Sequence, residues 1–321
     1  MKAANRRRCR RVALAVGLTL LVLLAAISID AAWLISRVER IDIASTEAAT
    51  PGQTWVIIGS DSRADKPVGR DTYGSGGTAA GGERADIILV VQVGRDGSGA
   101  GGLSIPRDLV LARAGEQRAE RIALALQDGG VDELVGSLCA GLGIPTDHLV
   151  RVTMRGFVEV VDALGGIDLD FDYPTRDSYT HLDVKAAGTV HMSGYQALQF
   201  VRSRHPEYQI DGQWREASTT QGNAARASNA AVAIKAVAGR ARQSLANPVR
   251  LQRTALALTS GIKLDRGASL WSLGAVAQGL SGGFEVLPVE TTGTYLATYP
   301  NAETYERLAE FGYVPGQCRV E

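Results

Sequence analysis

An α/β fold is what this sequence predicts: an α-β-α sandwich with a central mixed sheet, preceded by a single N-terminal transmembrane helix. Three observations predict it. Val12 to Ile29 holds no charged residue and follows a mouth of six basic ones, Lys2, Arg6, Arg7, Arg8, Arg10 and Arg11, which is the length and flank of a membrane-crossing helix. Apolar runs of strand length, Trp55–Ile58 and Ile87–Val91, recur along the chain. Between them lie segments whose apolar residues repeat at helical spacing, and strands interleaved with helices argue for a layered α/β domain.

The elements follow in order. Residues 1–11 read as a cytoplasmic basic tail, 12–30 as the transmembrane helix and 31–52 as a helical stalk and short linker ending in Pro51-Gly52. A cleaved signal peptide is the competing reading, but the apolar stretch is longer than a usual signal core and Asp30 interrupts the small-residue site at Ala31-Ala32. The folded domain spans 53–290, with a C-terminal extension at 291–321. Its first strand is Thr54–Gly59, and Gly69 to Gly82 is a glycine-rich loop expected to be mobile. Asp86–Val93 is apolar on both faces, as an interior strand covered by helices must be. Gly94 to Gly102 reads as a hairpin loop, and Leu103–Ile105 as a strand stopped by Pro106.

Helices are expected at Arg121–Gln127 and Val131–Leu142, then a strand at Leu149–Thr153. Phe157, Val160, Val161 and Leu164 mark the next helix, closed by Gly165-Gly166. Ile167–Phe171 alternates like a half-exposed strand, and Asp172 to Gly188 is loop or hairpin. Ser193 is placed to cap a helix reaching Val201. Alanine-rich helices follow at Thr219–Ala246 and Pro248–Ser260, a late strand at Phe284–Val289 and a last helix at Ala302–Glu310.

Composition narrows the function. The 321 residues carry 34 basic and 34 acidic side chains, so net charge points to no particular partner. Cys9 belongs to the cytoplasmic side. Cys139 and Cys318 would lie outside, where disulfides persist; they either pair, tying the tail to the core, or stand apart as a buried residue and a tail thiol. His148, His181, His191 and His205 show no zinc spacing, no Gly-x-Ser-x-Gly elbow occurs, and Gly74 to Arg84 lacks the Gly-Lys-Ser/Thr of a phosphate loop. Basic residues are not interleaved with aromatics, which argues against nucleic acid.

What remains is a recurrence of charged residues at segment edges: arginine with aspartate in Asp61-Ser-Arg63, Arg84-Ala-Asp86 and Arg107-Asp108, and two arginines in Arg202-Ser-Arg204. Guanidinium forks match phosphate oxygens two at a time, and carboxylates beside them are hard oxygen ligands suited to magnesium. Any one such pair alone is an ordinary surface salt bridge; four gathered in one cleft would hold a multiply charged anion with a metal ion.

Five ordered pieces, Ile57-Ile-Gly-Ser-Asp-Ser-Arg63, Glu83-Arg-Ala-Asp-Ile-Ile88, Leu103-Ser-Ile-Pro-Arg-Asp108, Leu164-Gly-Gly-Ile167 and Gly194-Tyr-Gln-Ala-Leu-Gln-Phe-Val-Arg-Ser-Arg-His205, resemble the LytR-CpsA-Psr family of cell-wall phosphotransferases. The resemblance implies an extracytoplasmic enzyme that moves an anionic glycopolymer from a polyprenyl-pyrophosphate carrier onto peptidoglycan. It implies Mg2+, with Mn2+ as a substitute, held by Asp61 and Asp86, one of which also assists deprotonation of the acceptor hydroxyl. Arg63, Arg84, Arg107, Arg202 and Arg204 become pyrophosphate ligands, and Asp108 orients Arg107. Met154, Phe157, Val158, Val161 and Leu198 either line an apolar tunnel for the lipid or are plain core. Two departures stand out: Ala123 replaces the family's usual asparagine, and the acidic-Gly-Arg step after Arg204 is replaced by Ile210-Asp-Gly-Gln-Trp-Arg215, so that Arg226, or else Arg215, supplies the missing arginine. Two rival readings are a polyprenyl-phosphate-binding envelope scaffold or regulator with little catalysis, and a pyrophosphatase acting on the same lipid donor.

Overall fold

The structure, a computed structural model, describes residues 2–61, 83–94, 99–113, 118–244, 246–269, 272–279, 284–291 and 297–320. The expected glycine-rich loop lies outside these residues. The chain divides into two units, Met1–Val38 and Glu39–Glu321.

The first unit is one helix, α1 (Lys2–Arg37). Its stretch Leu14–Arg37 has a mean hydropathy of 2.3 and is long and apolar enough to cross a membrane. From Leu14 to Ile29 its leucines and isoleucines point outward, Leu14 at 74% and Ile29 at 71% exposure, whereas Leu34 near its end is buried. A stretch apolar all round has no side suited to water, which is the character of a membrane-crossing segment.

In the second unit a seven-stranded mixed sheet is formed, among the described residues, by β1 (Glu39–Ile41), β2 (Gly52–Ser60), β3 (Ala85–Gly94), β4 (Gly99–Ile105), β5 (His148–Thr153), β6 (Ile262–Asp265) and β7 (Phe284–Val286), in the order β1-β6-β5-β2-β3-β4-β7. The three central pairings differ in sense: β2 runs parallel to β5 and antiparallel to β3, and β3 antiparallel to β4. The segment 39–47, expected as linker, supplies β1 and the short strand Thr46–Glu47, which pairs with Arg319–Val320 of the tail. β6 was also not legible, being four residues wedged after a helix.

Helices cover both faces. α2 (Ile122–Leu142) joins the two helices expected there across a break at Gly130, whose φ of 73° only glycine adopts freely. With α8 (Ala302–Glu310) it packs Leu134, Val135, Leu138, Leu142 and Leu308 on Val56, Ile58, Ile88 and Val90 of the sheet. On the other face lie α3 (Met154–Ala163), α4 (Gly194–Arg202) and α5 (Thr219–Ser244), whose Val161, Ala197, Phe200, Val201 and Ala233 form a second core that Ile87 touches. Ile87 and its neighbours Ile88 and Val90 thus serve opposite faces, as the two-residue period of a strand requires. α6 (Pro248–Gly261) and α7 (Ser272–Gly279) complete the helices. Ser193 caps α4 as expected, with Gln196 completing a capping box. A disulfide joins Cys139 of α2 to Cys318, and the tail beyond α8 puts Tyr313, fully buried, into the first core.

Candidate functional site

Sheet register brings three distant segments to one edge. Ser60, the last residue of β2, pairs with Ala85, which opens β3, while Ile88 of β3 pairs with Ile105 near the end of β4. In antiparallel strands that register sets Asp86, two residues before Ile88, opposite Arg107, two residues after Ile105. β5 ends at the same edge, Thr153 beside Ser60. Asp61 and Arg84, 23 residues apart, and Asp86 and Arg107, 21 apart, therefore meet because β2 pairs antiparallel with β3 and β3 antiparallel with β4.

The contacts confirm a single cluster. The Arg84 backbone N–H donates to Asp61 Oδ1 at 2.7 Å, and Arg84 Nε donates to Gln127 Oε1 at 3.2 Å. Arg107 bonds Asp86 through Nη1 and donates from Nε to Asp108 Oδ1 at 3.3 Å. Arg121 lies 3.9 Å from the same Asp108 oxygen. Arg107, Asp86 and Asp108 keep 17%, 13% and 14% of their side-chain surface, so the ion pairs are screened but still reachable. Burial pushes the Asp61 carboxyl above the usual aspartate range, and the nearby Asp86 charge adds to this against the opposing Arg84 N–H, Arg84 and Arg107. Burial alone would lower the Arg107 guanidinium; Asp86, Asp108 and Asp61 outweigh it and raise it. Asp61, Arg84, Asp86 and Arg107 thus feel one another.

Arg202 ends α4 and Arg204 follows it. Their backbone is fixed by Asp177, a residue sequence reasoning missed. Asp177 is fully buried. Its Oδ2 accepts from Ser203 Oγ (2.6 Å), Arg204 N (3.0 Å) and His205 N (3.0 Å), and its Oδ1 from Tyr179 N (2.9 Å) and Thr180 N (3.2 Å). From the other side α5 presses on the same turn: a Cβ at Gly222 would fall 1.9 Å from the Arg204 carbonyl oxygen. Arg63 lies outside the described residues, and so does the side chain of Arg226, which sits on α5. Arg215 lies on the strand Gln213–Glu216.

A second missed pair is Glu83 and Arg151. Arg151, in the middle of β5, donates Nε to Glu83 Oε1 at 2.7 Å and its Nη2 reaches Glu83 Oε2. This fork pins the residue that precedes Arg84. The signal was an arginine inside an otherwise apolar strand, Leu149-Val-Arg-Val152. Ala123, at the position of the family's asparagine, is buried and contributes its backbone N–H to the Arg107 carbonyl at 3.0 Å. Val161 and Leu198 are buried and Phe157 packs at the rim of the second core. A cleft lined by Asp42, Ser45, Thr46, Thr146, Asp147 and Arg266 opens beside the start of β5, at the opposite edge from the cluster.

Comparison with known proteins bears on the fold and the family. The LytR-Csp2A-Psr enzyme from Actinomyces oris superposes with a TM-score of 0.73 and 33% identity, covering 89% of this chain and 99% of that one. The probable cell wall biosynthesis protein LcpB of Corynebacterium glutamicum is 28% identical over 88% of this chain and 64% of its own length. The polyisoprenyl-teichoic acid–peptidoglycan teichoic acid transferase TagU of Bacillus cereus is 32% identical over 43% of this chain and 46% of its own. The chain thus spans less than two thirds of the curated relatives it matches. The family model described as LytR_cpsA_psr family matches residues 33–216, more than half of the chain. With the fold, the motif order and these matches in agreement, the chain belongs to the LytR_cpsA_psr family.

Proposed function

We propose that this protein is a membrane-anchored phosphotransferase that moves an anionic glycopolymer from a polyprenyl-pyrophosphate carrier onto a peptidoglycan hydroxyl. The observation that carries the reading is the meeting of Asp61, Arg84, Asp86 and Arg107 at one sheet edge. The basic residues at the start of α1, ahead of its apolar stretch, support a reading with the N-terminus inside and the folded unit outside the membrane.

In this reading Arg84 and Arg107 hold the pyrophosphate, with Arg63, Arg202 and Arg204 closing around it, and the guanidinium charge is matched to the charge that develops on the departing phosphate. The acceptor oxygen forms a bond to the polymer-bearing phosphorus as the bond to the polyprenyl phosphate breaks, and polyprenyl phosphate leaves. The acceptor's proton goes to Asp61, whose carboxyl burial makes more basic than an ordinary aspartate, while Asp86 is engaged by Arg107. Asp61 and Asp86 fit Mg2+ or Mn2+: two carboxylates whose charges oppose each other favour a cation between them, and magnesium takes one or two carboxylates with phosphate oxygens and water as its other ligands. Such an ion, when bound, would act as a Lewis acid on the phosphate oxygens. The name of the TagU relative, a teichoic acid transferase, supports the reaction class.

A scaffold that only binds polyprenyl phosphates has no use for the carboxylate pair. Transfer is tested with the full chain, a polyprenyl-pyrophosphate-linked glycopolymer and peptidoglycan. Asp86→Ala is expected to lose both transfer and hydrolysis while its circular dichroism stays unchanged. Turnover like that of the unsubstituted protein would overturn the assignment, and wild-type product appearing only as free polymer phosphate would make it a pyrophosphatase.

A further inference from the structure

From residue 217 to residue 264 the chain carries Arg226, Lys235, Arg240, Arg242, Arg250, Arg253 and Lys263 and no aspartate or glutamate, in a protein whose charges otherwise balance. This stretch folds as α5 and α6, which are in contact with each other. Outward-facing residues on each helix share a face. On α5 they are Val232, Lys235, Gly239 and Arg242; on α6 they are Val249, Arg253, Leu256 and Ser260, with Leu251 alongside. The apolar members are not tucked under the cations: Val232 is 43%, Val249 62%, Leu251 43% and Leu256 40% exposed. A carboxylate near this face, Glu159 of α3, is engaged by Arg155 and by Ser260 Oγ at the far end of α6.

We propose that the α5–α6 face docks on an anionic bilayer surface, as a contact additional to α1. A run of seven cations with no acid of its own selects a negative partner. The exposed valines and leucines select among negative partners, because a phosphate-rich polymer gains from arginines but not from aliphatic side chains in water. A bilayer surface takes both, the apolar groups entering the headgroup boundary and each basic residue meeting anionic headgroups. A chain whose first helix is able to span a bilayer carries such a surface within reach of its folded unit. This inference does not depend on the phosphotransfer reading.

The test uses the full chain in nanodiscs and amide hydrogen exchange. In discs containing phosphatidylglycerol, exchange over residues 246–256 is expected to be about ten-fold slower than in phosphatidylcholine discs, and the difference should vanish at high salt. The double variant Arg242→Glu/Arg253→Glu should lose the protection, and Val249→Ser/Leu251→Ser should weaken it; all four residues are exposed, and unchanged exchange in β2 and β3 checks the fold in each variant. Equal exchange in the two kinds of disc overturns the proposal. So does inorganic polyphosphate giving the same slowing over phosphatidylcholine discs, which would make the face a polymer track instead.

Discussion

Replacing Asp177 by asparagine isolates the part of the site that no sequence motif announced. The carboxylate accepts three bonds on Oδ2 and two on Oδ1 with no surface of its own. An amide of the same shape has one acceptor oxygen, so its NH2 must face either the three donors or the two. The cheaper choice abandons Tyr179 N and Thr180 N, where nearby solvent softens the loss, since Tyr179 is 72% exposed. Each stranded donor costs about 1–3 kcal/mol, and the three bonds kept lose their charge assistance. A total of about 2–4 kcal/mol follows, which for a unit of this size lowers Tm by roughly 3–7 °C. The pH dependence carries a sign. Burial alone would raise the Asp177 pKa; the bonds from Ser203, His205, Thr180 and Tyr179 outweigh it and hold it below the usual range. Its stabilising contribution is therefore complete above the unfolded value near ~3.9 and is lost as pH falls through the lower folded value. Calorimetry from neutral pH down should show the gap between the two proteins widest above about pH 4 and closing below it. A neutral-pH Tm within about 1 °C of the parent, or a gap that does not shrink in acid, refutes the reasoning.

Three further outcomes are expected. Arg202→Ala should weaken binding of polyprenyl pyrophosphate by about ten-fold or more and of the monophosphate less, in titration calorimetry; equal losses would count against a pyrophosphate ligand. The disulfide closes a sequence separation of 179 residues, for which chain entropy sets a ceiling of about 5 kcal/mol, so Cys318→Ser should lower Tm and dithiothreitol should do the same to the parent; a Tm indifferent to reductant would show that the tail is held by its packing alone. Chelation with EDTA should stop turnover and Mg2+ or Mn2+ restore it, and full activity in chelator would remove the metal from the reaction.

The parts of this fold legible in the sequence are those with long, regular periods. β2, β3, β5, α3, α4 and α8 are each marked by an apolar pattern, a cap or a glycine stop, and the Arg–Asp pairs fall at their ends. β1 and β6 are too short to show a period and exist because they pair with each other and with β5. The tail reads as an appendage, yet Leu308 and Tyr313 are core; only the third dimension supplies the surface they cover. Asp177 looked like one polar residue of a loop. Its Asp-Ser-Tyr-Thr context does predict a local turn, but the reach to residues 203–205 is long-range and no local pattern carries it.

The charges of the described cluster also bear on how it would meet a diphosphate. Asp61, Asp86 and Asp108 stand against Arg84, Arg107 and Arg121, and each arginine except Arg84 is already committed to a carboxylate. As folded, this edge is formally neutral. A ligand with several negative charges gains little from a neutral cluster unless something positive arrives with it or closes over it. The first route is the one the proposed function takes: Asp61 and Asp86 would hold a divalent cation, which would supply the missing positive charge. The turn after α4 makes the second available, because Asp177 and Gly222 hold the Arg204 backbone in place from two sides. Arg107, held between Asp86 and Asp108, can then yield part of its grip on the carboxylates to phosphate without losing orientation. Among the described residues the edge is neutral with its cations braced, and in the proposed transfer such an edge would let a phosphate product leave more readily than a surplus of cations would.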